Sequence, residues 1–328
     1  DDQRGRMNYV TRGKVLQGVA EVKEGLSFCL SLPLDYPGGN ALNPRRNPPR
    51  LAPTMRDGKA NFCFAFADGN ALLTDVICDD LVLLTLQYST QWDSFAHVGG
   101  KFDADGDGKP ELVFYNGFRA GEDVKTAPAN PAAEPWAKYE GSRAEALGIQ
   151  NLAEHGAQGR GVMVDLHAHF GRERKAIGYD ALMRAMDKDK VVVEKGDFAC
   201  FYTGFVDVIL ELAKNPDPKL IHNTCTGLDG RDDKLLQWIT DCGCAALIAD
   251  NYAVEIIPAS PFKPQPHALM PLHEHCLFKN GIHLGEIWYL TELAQWLRAN
   301  KRSRFLLTAP PLRLPGAVGS PAVAVATV

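Results

Sequence analysis

From Gly161 the chain reads GVMVDLHAHF (161–170), and this stretch and those after it decide the fold class. Its apolar start and β-branched content read as a strand. YDALMRAMDK (179–188) spaces its apolar residues like a helix, FACFYTGF (198–205) reads as a strand, and VDVILELAKN (206–215) reads as a helix. The alternation continues through DKLLQWITDCG (233–243), AALIAD (245–250), LTELAQWLRAN (290–300) and RFLLTAPPL (304–312). Strands alternating with helices predict an α/β fold built on a mixed sheet.

The first hundred residues are richer in strand signals. VTRGKVLQGVAEVK (10–23) predicts an amphipathic helix, and Leu26 to Leu34 a strand ending at the turn DYPGG (35–39). An Asn-, Pro- and Arg-rich excursion follows from Ala41 to Pro53, after which NFCFAF (61–66) and LVLLTL (81–86) read as strands, the latter buried. A Pro/Ala-rich connection from Asp123 to Ala137 leads to the helical SRAEALGIQNLAEHG (142–156). No internal repeat interrupts this order, so the expectation is a single domain over 1–311. A tail, 312–328, follows, its Ala/Val-rich end from Gly316 reading as frayed.

Composition narrows the function. With 45% hydrophobic and 23% charged residues the chain has material for a packed core. A net charge of -5 gives no electrostatic footprint for a nucleic-acid or anionic-membrane partner, which leaves a small-molecule substrate. No apolar run reaches the roughly 18 to 20 residues that a membrane helix needs, and DDQRGRMNYV (1–10) lacks the features of a signal peptide. Eight cysteines without a CxxC pair, several in apolar contexts such as LSFCLSL and NFCFAF, predict buried thiols in a reducing compartment, and hence a cytoplasmic protein. Dinucleotide, Walker and GxSxG motifs are all missing from the sequence.

Two clusters carry candidate chemistry. QYSTQWDSFAH (87–97) follows LVLLTL; in an extended chain Gln87, Gln91 and Asp93 share one face, and His97 returns over Asp93. PLHEHCLFKNGIHLGEIWYLTEL (271–293) crowds His273, His275, His283 and Glu286 together. If Leu272–Asn280 is a helix capped by Gly281, His273 and His275 point to nearly opposite sides, so at most one joins a site. Asp93, His97, one of His273 or His275, and Glu286 make a two-imidazole, two-carboxylate set suited to Zn, Mn or Fe(II). The bland alternatives are a polar strand end, a surface His283, and a helix-capping Glu286.

Further candidates are weaker. Asp103, Asp105 and Asp107 in FDADGDGKPE (102–111) match the start of a calcium loop, but Phe114 stands where its bidentate glutamate belongs, so the segment is a structural calcium site or an Asx-rich turn. Asp165, His167 and His169 alternate along their predicted strand, and His169 is a candidate for binding substrate. Trp92, Phe95, Phe114 and Tyr115 hint at an aromatic pocket, though such residues beside a strand are commonly core.

The chain resembles the metal-dependent cyclase-like hydrolases that include kynurenine formamidase and isatin hydrolase. The resemblance rests on Leu272-His273, Leu277, Gly281 and Leu284-Gly285-Glu286, with the opening Asp1-Asp2-Gln3-Arg4-Gly5, the strand from Gly161 to Asp165, Tyr202-Thr203-Gly204, Ala249-Asp250-Asn251 and Ala253-Val254-Glu255. It implies a swivelling β/β/α fold, homodimers, and an ion that activates water against an amide, formamide or lactone carbonyl. The first two histidines of the family motif fall on Gln87 and Gln91, its aspartate on Asp93, its last histidine on His97 and the late pair on His273 and Glu286. One divalent ion, Zn or Mn, is therefore expected on Asp93, His97, His273 and Glu286. Gln87, Gln91 and Trp92 are left to substrate and water, and His97 or Glu286 to the proton. The competing reading is a non-catalytic binding protein that keeps the fold around a degenerate metal centre.

Overall fold

The computed structural model describes residues 2–328; Asp1 lies outside them. Nine strands form one mixed sheet. In chain order they are β1 (Ser27–Cys29), β2 (Gln91–Asp93), β3 (Gln158–Asp165), β4 (Phe198–Tyr202), β5 (Ala246–Ala249), β6 (His283–Glu286), β7 (Arg304–Thr308), β8 (Gly319–Pro321) and β9 (Val325–Thr327). Their spatial order is β1-β9-β7-β3-β4-β5-β6-β2-β8. The four central strands, β3 to β6, run parallel, and antiparallel strands flank them on both sides.

In the parallel centre β4 (FACFY) and β5 (ALIA) are apolar and buried throughout, which suits strands covered on both faces. Along β4, Phe198, Cys200 and Tyr202 enter one core cluster, while Ala199 and Phe201 enter the cluster on the other side. Helices supply the covering layers. Tyr179–Asp189 buries Leu182, Ala185 and Met186, a stripe at helical spacing. Asp233–Cys242 buries Leu235 and Ile239, starts where the Asp232 side chain accepts from the Lys234 and Leu235 amides, and stops at Gly243 with φ 67°.

Three expectations fail. The segment 312–328 is no frayed tail, because β8 and β9 lie inside the main sheet and Ala322, Ala324, Ala326 and Val328 are buried in its core. LVLLTL is not a buried strand: Leu81 and Val82 are each 51% exposed, since Asp80–Leu83 pairs only with Arg50–Pro53 in an outlying lobe. The 142–156 helix shrinks to Gln150–His155, with Arg143–Ala144 pairing as a short strand against Val124–Lys125. The lobe, 50–83, is three small antiparallel pairs and contributes no residue to the three core clusters. No described helix is long and apolar enough to cross a membrane.

Candidate metal centre

β2 and β6 pair so that Leu284 faces Asp93, Gly285 faces Trp92 and Glu286 faces Gln91. Opposed residues of an antiparallel pair share a face, so Gln91, Asp93 and Glu286 project together and Trp92 projects the other way. Gln91 Nε2 donates to Glu286 Oε2 at 2.8 Å. A Cβ at Gly285 would lie 2.9 Å from Trp288 Nε1, so glycine there lets Trp288 close over the strand and donate to the Gln91 carbonyl.

His273 enters from the short helix Pro271–His273, which widens into a seven-residue π-helical stretch, Glu274–Asn280, and ends at Gly281 with φ 60°. Glu255 anchors that entry. Its carboxylate accepts from the Leu272 and His273 amides, each at 3.1 Å, and stands 2.8 Å from His273 Nδ1. With Nδ1 turned to Glu255, Nε2 points into the site, 3.1 Å from Glu286 Oε1 and 4.0 Å from Asp93 Oδ2.

Asp93, His273 and Glu286 are buried, and each offers an atom to one group spanning no more than 4.8 Å. His97 stands beside this trio in a turn, Nε2 3.8 Å from Asp93 Oδ1. Burial is the main force that pushes the Asp93 carboxyl up to about 6, with Glu286 adding to it, while His97 and His273 oppose. Burial also works against a charged His273, but Glu255 and Glu286 outweigh it and raise the ring to about 10. His97 is held below its ordinary value, first by burial, against the pull of Asp93.

The residues present fit a divalent cation. Both carboxylate oxygens of Asp93 and Oε1 of Gln91 are buried without a hydrogen-bond partner, a costly state for acceptors. Two carboxylates and an imidazole aimed at one point form the nitrogen and oxygen donor set that zinc and manganese take, and three protein ligands leave an open position. Above the trio lies a cavity of ≈ 540 Å³ whose lining includes Arg46, Gln87, His97, Tyr252, His273 and Glu286. That size accommodates a small organic molecule.

Other predicted residues are placed differently. Trp92 is no cavity residue: it is fully buried, edge-on to Trp288 at 4.9 Å, and donates to the Ala309 carbonyl at 2.8 Å. His169 is not on a strand. β3 ends at Asp165, whose carboxylate accepts from the Ala168 amide and starts the helix Leu166–Phe170. His169 there meets Asp189 at 2.7 Å and lines a second cavity that shares no residue with the first. Gln87 belongs to a turn and not to an extended strand, yet it reaches the cavity, its carbonyl accepting from Arg46 at 2.8 Å. His275 faces away and meets Thr240 at 2.9 Å. His283 is buried, not a surface residue; it stacks on Phe95 at 4.0 Å, and burial pushes it down to about 4.

Asp103, Asp105, Asp107 and Glu111 close the hairpin loop between Gly100–Phe102 and Glu111–Val113. Asp103 accepts from the Gly106 and Gly108 amides, Asp105 and Asp107 cap the next turns, and Arg119 pairs with Asp105 at 3.1 Å. Sequence reasoning gave Glu255 and Arg46 no role at the site. Glu255 stood among the motif residues, but its contact with His273 spans 18 positions that no periodicity connects.

The Cyclase family profile matches residues 30–256, a span that holds Gln87–His97 and Glu255 but stops before His273 and Glu286. Among solved structures, a novel cyclase aligns at 28% identity and a TM-score of 0.75, covering 100% of this chain and 97% of its own. Isatin hydrolase A from Labrenzia aggregata, bound to benzyl benzoate, aligns at 10% identity and a TM-score of 0.56, covering 96% and 97%. An isatin hydrolase bound to the product analogue thioisatinate aligns at 13% and 0.56, covering 97% and 99%. Identities that low show a shared fold alone. No curated protein matches in sequence. The α/β single-domain expectation agrees with these structures, and the match over most of its length shows that this chain belongs to the Cyclase family.

Proposed function

We propose that the protein is a metal-dependent hydrolase that opens a cyclic amide, formamide or lactone. One observation carries the reading: both Asp93 oxygens are buried and unpartnered, in a trio with His273 and Glu286 at the edge of a cavity. Supporting it are the family membership and the metal-dependent and isatin hydrolases that share the fold.

In this reading Asp93, His273 and Glu286 hold one divalent ion, Zn or Mn. When bound, such an ion lowers the pKa of water and polarises a carbonyl. Glu255 fixes the His273 tautomer, and Gln91 restrains Glu286 through its Nε2. His97, on the cavity lining and outside the compact trio, takes the proton from the attacking water. Gln87 offers an amide to the substrate carbonyl. The Gln91 Oε1 acceptor, buried and free, orients the water.

The test is metal analysis of the purified chain beside Asp93→Ala and His273→Ala, with turnover of N-acyl aromatics and lactones in added Mn or Zn. Stoichiometric metal and turnover in the parent, both lost in the variants, are expected. Full metal content in both variants would refute the ligand set.

A further inference from the structure

The outlying lobe, 50–83, contains two cysteines that no catalytic role uses. Phe64–Ala65 pairs with Val76–Ile77 in antiparallel register, Phe64 opposite Ile77 and Ala65 opposite Val76. Just beyond the ladder Cys63, at φ 51°, leaves the strand and meets Cys78. Their sulfurs lie 3.9 Å apart, and the Cys63 amide points at Cys78 Sγ at 3.0 Å. Both residues are exposed, contrary to the sequence expectation for the NFCFAF context.

The backbone on each side of the pair is pinned. Beyond it, the Asp79 amide donates to the Asn61 carbonyl at 2.8 Å and Asn61 Nδ2 donates to Asp79 Oδ2 at 2.6 Å. Before it runs the short ladder to the hairpin. The two sulfurs, 3.9 Å apart, must close to about 2.05 Å, a change within reach of side-chain rotation and a small backbone shift. The lobe also has a use for a covalent tie. It places no side chain in any core cluster, and Leu72 and Val76 are 88% and 64% exposed, so little apolar burial holds it.

We propose that Cys63 and Cys78 form a redox site that closes to a disulfide within the lobe when it meets a low-molecular-weight disulfide such as glutathione disulfide. One cysteine thiolate attacks a sulfur of the oxidant, whose S–S bond breaks, and one glutathione leaves as thiolate. The second cysteine gives up its proton and attacks the mixed disulfide, expelling the other glutathione. The two cysteines lose two electrons and two protons, and the oxidant gains them as two thiols. The bond ties the lobe internally; the flanking residues Arg46 and Thr85 line the cavity beside His273 and Glu286.

The full-length chain is incubated with glutathione disulfide, quenched in acid, alkylated and digested without reduction for mass spectrometry. Expected is a Cys63–Cys78 cross-linked peptide pair free of glutathione, reversed by dithiothreitol. Cys29, exposed and with its Sγ 3.7 Å from the Ser31 carbonyl, is the internal control and is expected to take up glutathione under the same conditions. Cys63→Ser and Cys78→Ser should each turn the remaining lobe cysteine into a glutathione acceptor. A wild-type chain carrying glutathione on both lobe cysteines, or keeping both as free thiols while Cys29 is modified, would overturn the proposal.

Discussion

Glu255 grips His273 through three hydrogen bonds, two from the backbone that carries the histidine and its neighbour and one from the ring itself. One buried side chain therefore fixes both the position and the tautomer of a proposed ligand. Glu255→Gln keeps the shape but weakens the acceptor. A carboxylate behind a ligating histidine typically sustains metal affinity by 10- to 100-fold, so a loss of that size is expected in competition titrations against a chelator. Unchanged affinity would make Glu255 a purely structural cap.

Asp93→Asn removes a buried charge with two unpartnered oxygens. In chelator, where no ion compensates that charge, the variant should be more stable than the parent by about 1–3 kcal/mol, read from urea unfolding. With metal the order should reverse, because the parent gains binding energy that the variant cannot. A parent that remains the more stable in chelator would show that the Asp93 oxygens are not a stored cost.

Trp92→Phe tests the reassignment of that residue to the core. The change deletes the bond to the Ala309 carbonyl and loosens the contact with Trp288. A loss of roughly 1–3 kcal/mol in stability is expected, with metal affinity within twofold of the parent. Tight folding combined with altered turnover would return Trp92 to the cavity.

Asp250 should leave a signature in the pH dependence of stability. Burial pushes its carboxyl up to about 7 from 3.8, against the hydrogen bonds from Thr203 that favour the charged form. Between these values the unfolded chain has released a proton that the folded chain keeps. Stability from this group is present below about pH 4, falls as pH rises through about 7, and is flat above. Asp250→Asn does not titrate, so its stability relative to the parent should improve from about pH 4 to about pH 7 and level off above that in denaturant titrations. A constant difference between the two proteins would exclude a raised Asp250.

The alternation of the later half was legible because period-2 and period-3.6 patterns report burial locally. So was the cap at Gly281. Spacing left the choice between His273 and His275 open, and only the family resemblance pointed to His273, since the choice depends on how Pro271–His273 enters and on Glu255. His169 lies on a helix despite the alternation of Asp165, His167 and His169, because Asp165 caps the Ala168 amide, a helix-start signal that alternation hides. Leu81 and Val82 looked internal because apolar composition does not say whether a second layer exists to cover them. β8 and β9 escaped notice because Ala-rich segments among prolines and glycines show no strand signal until a sheet receives them.

β2 has a distinctive place in the order of assembly. Both of its sheet neighbours come from far along the chain: β6 supplies Glu286, 195 positions from Gln91, and β8 is later still. Contacts of such span are entropically expensive to close early and tend to slow folding. Local parallel units such as β3–β4 have no such delay, so the strand bearing Asp93 waits for its partners while the parallel centre forms. The proposed metal site is thus expected to form late in folding, when strands distant in sequence meet at β2.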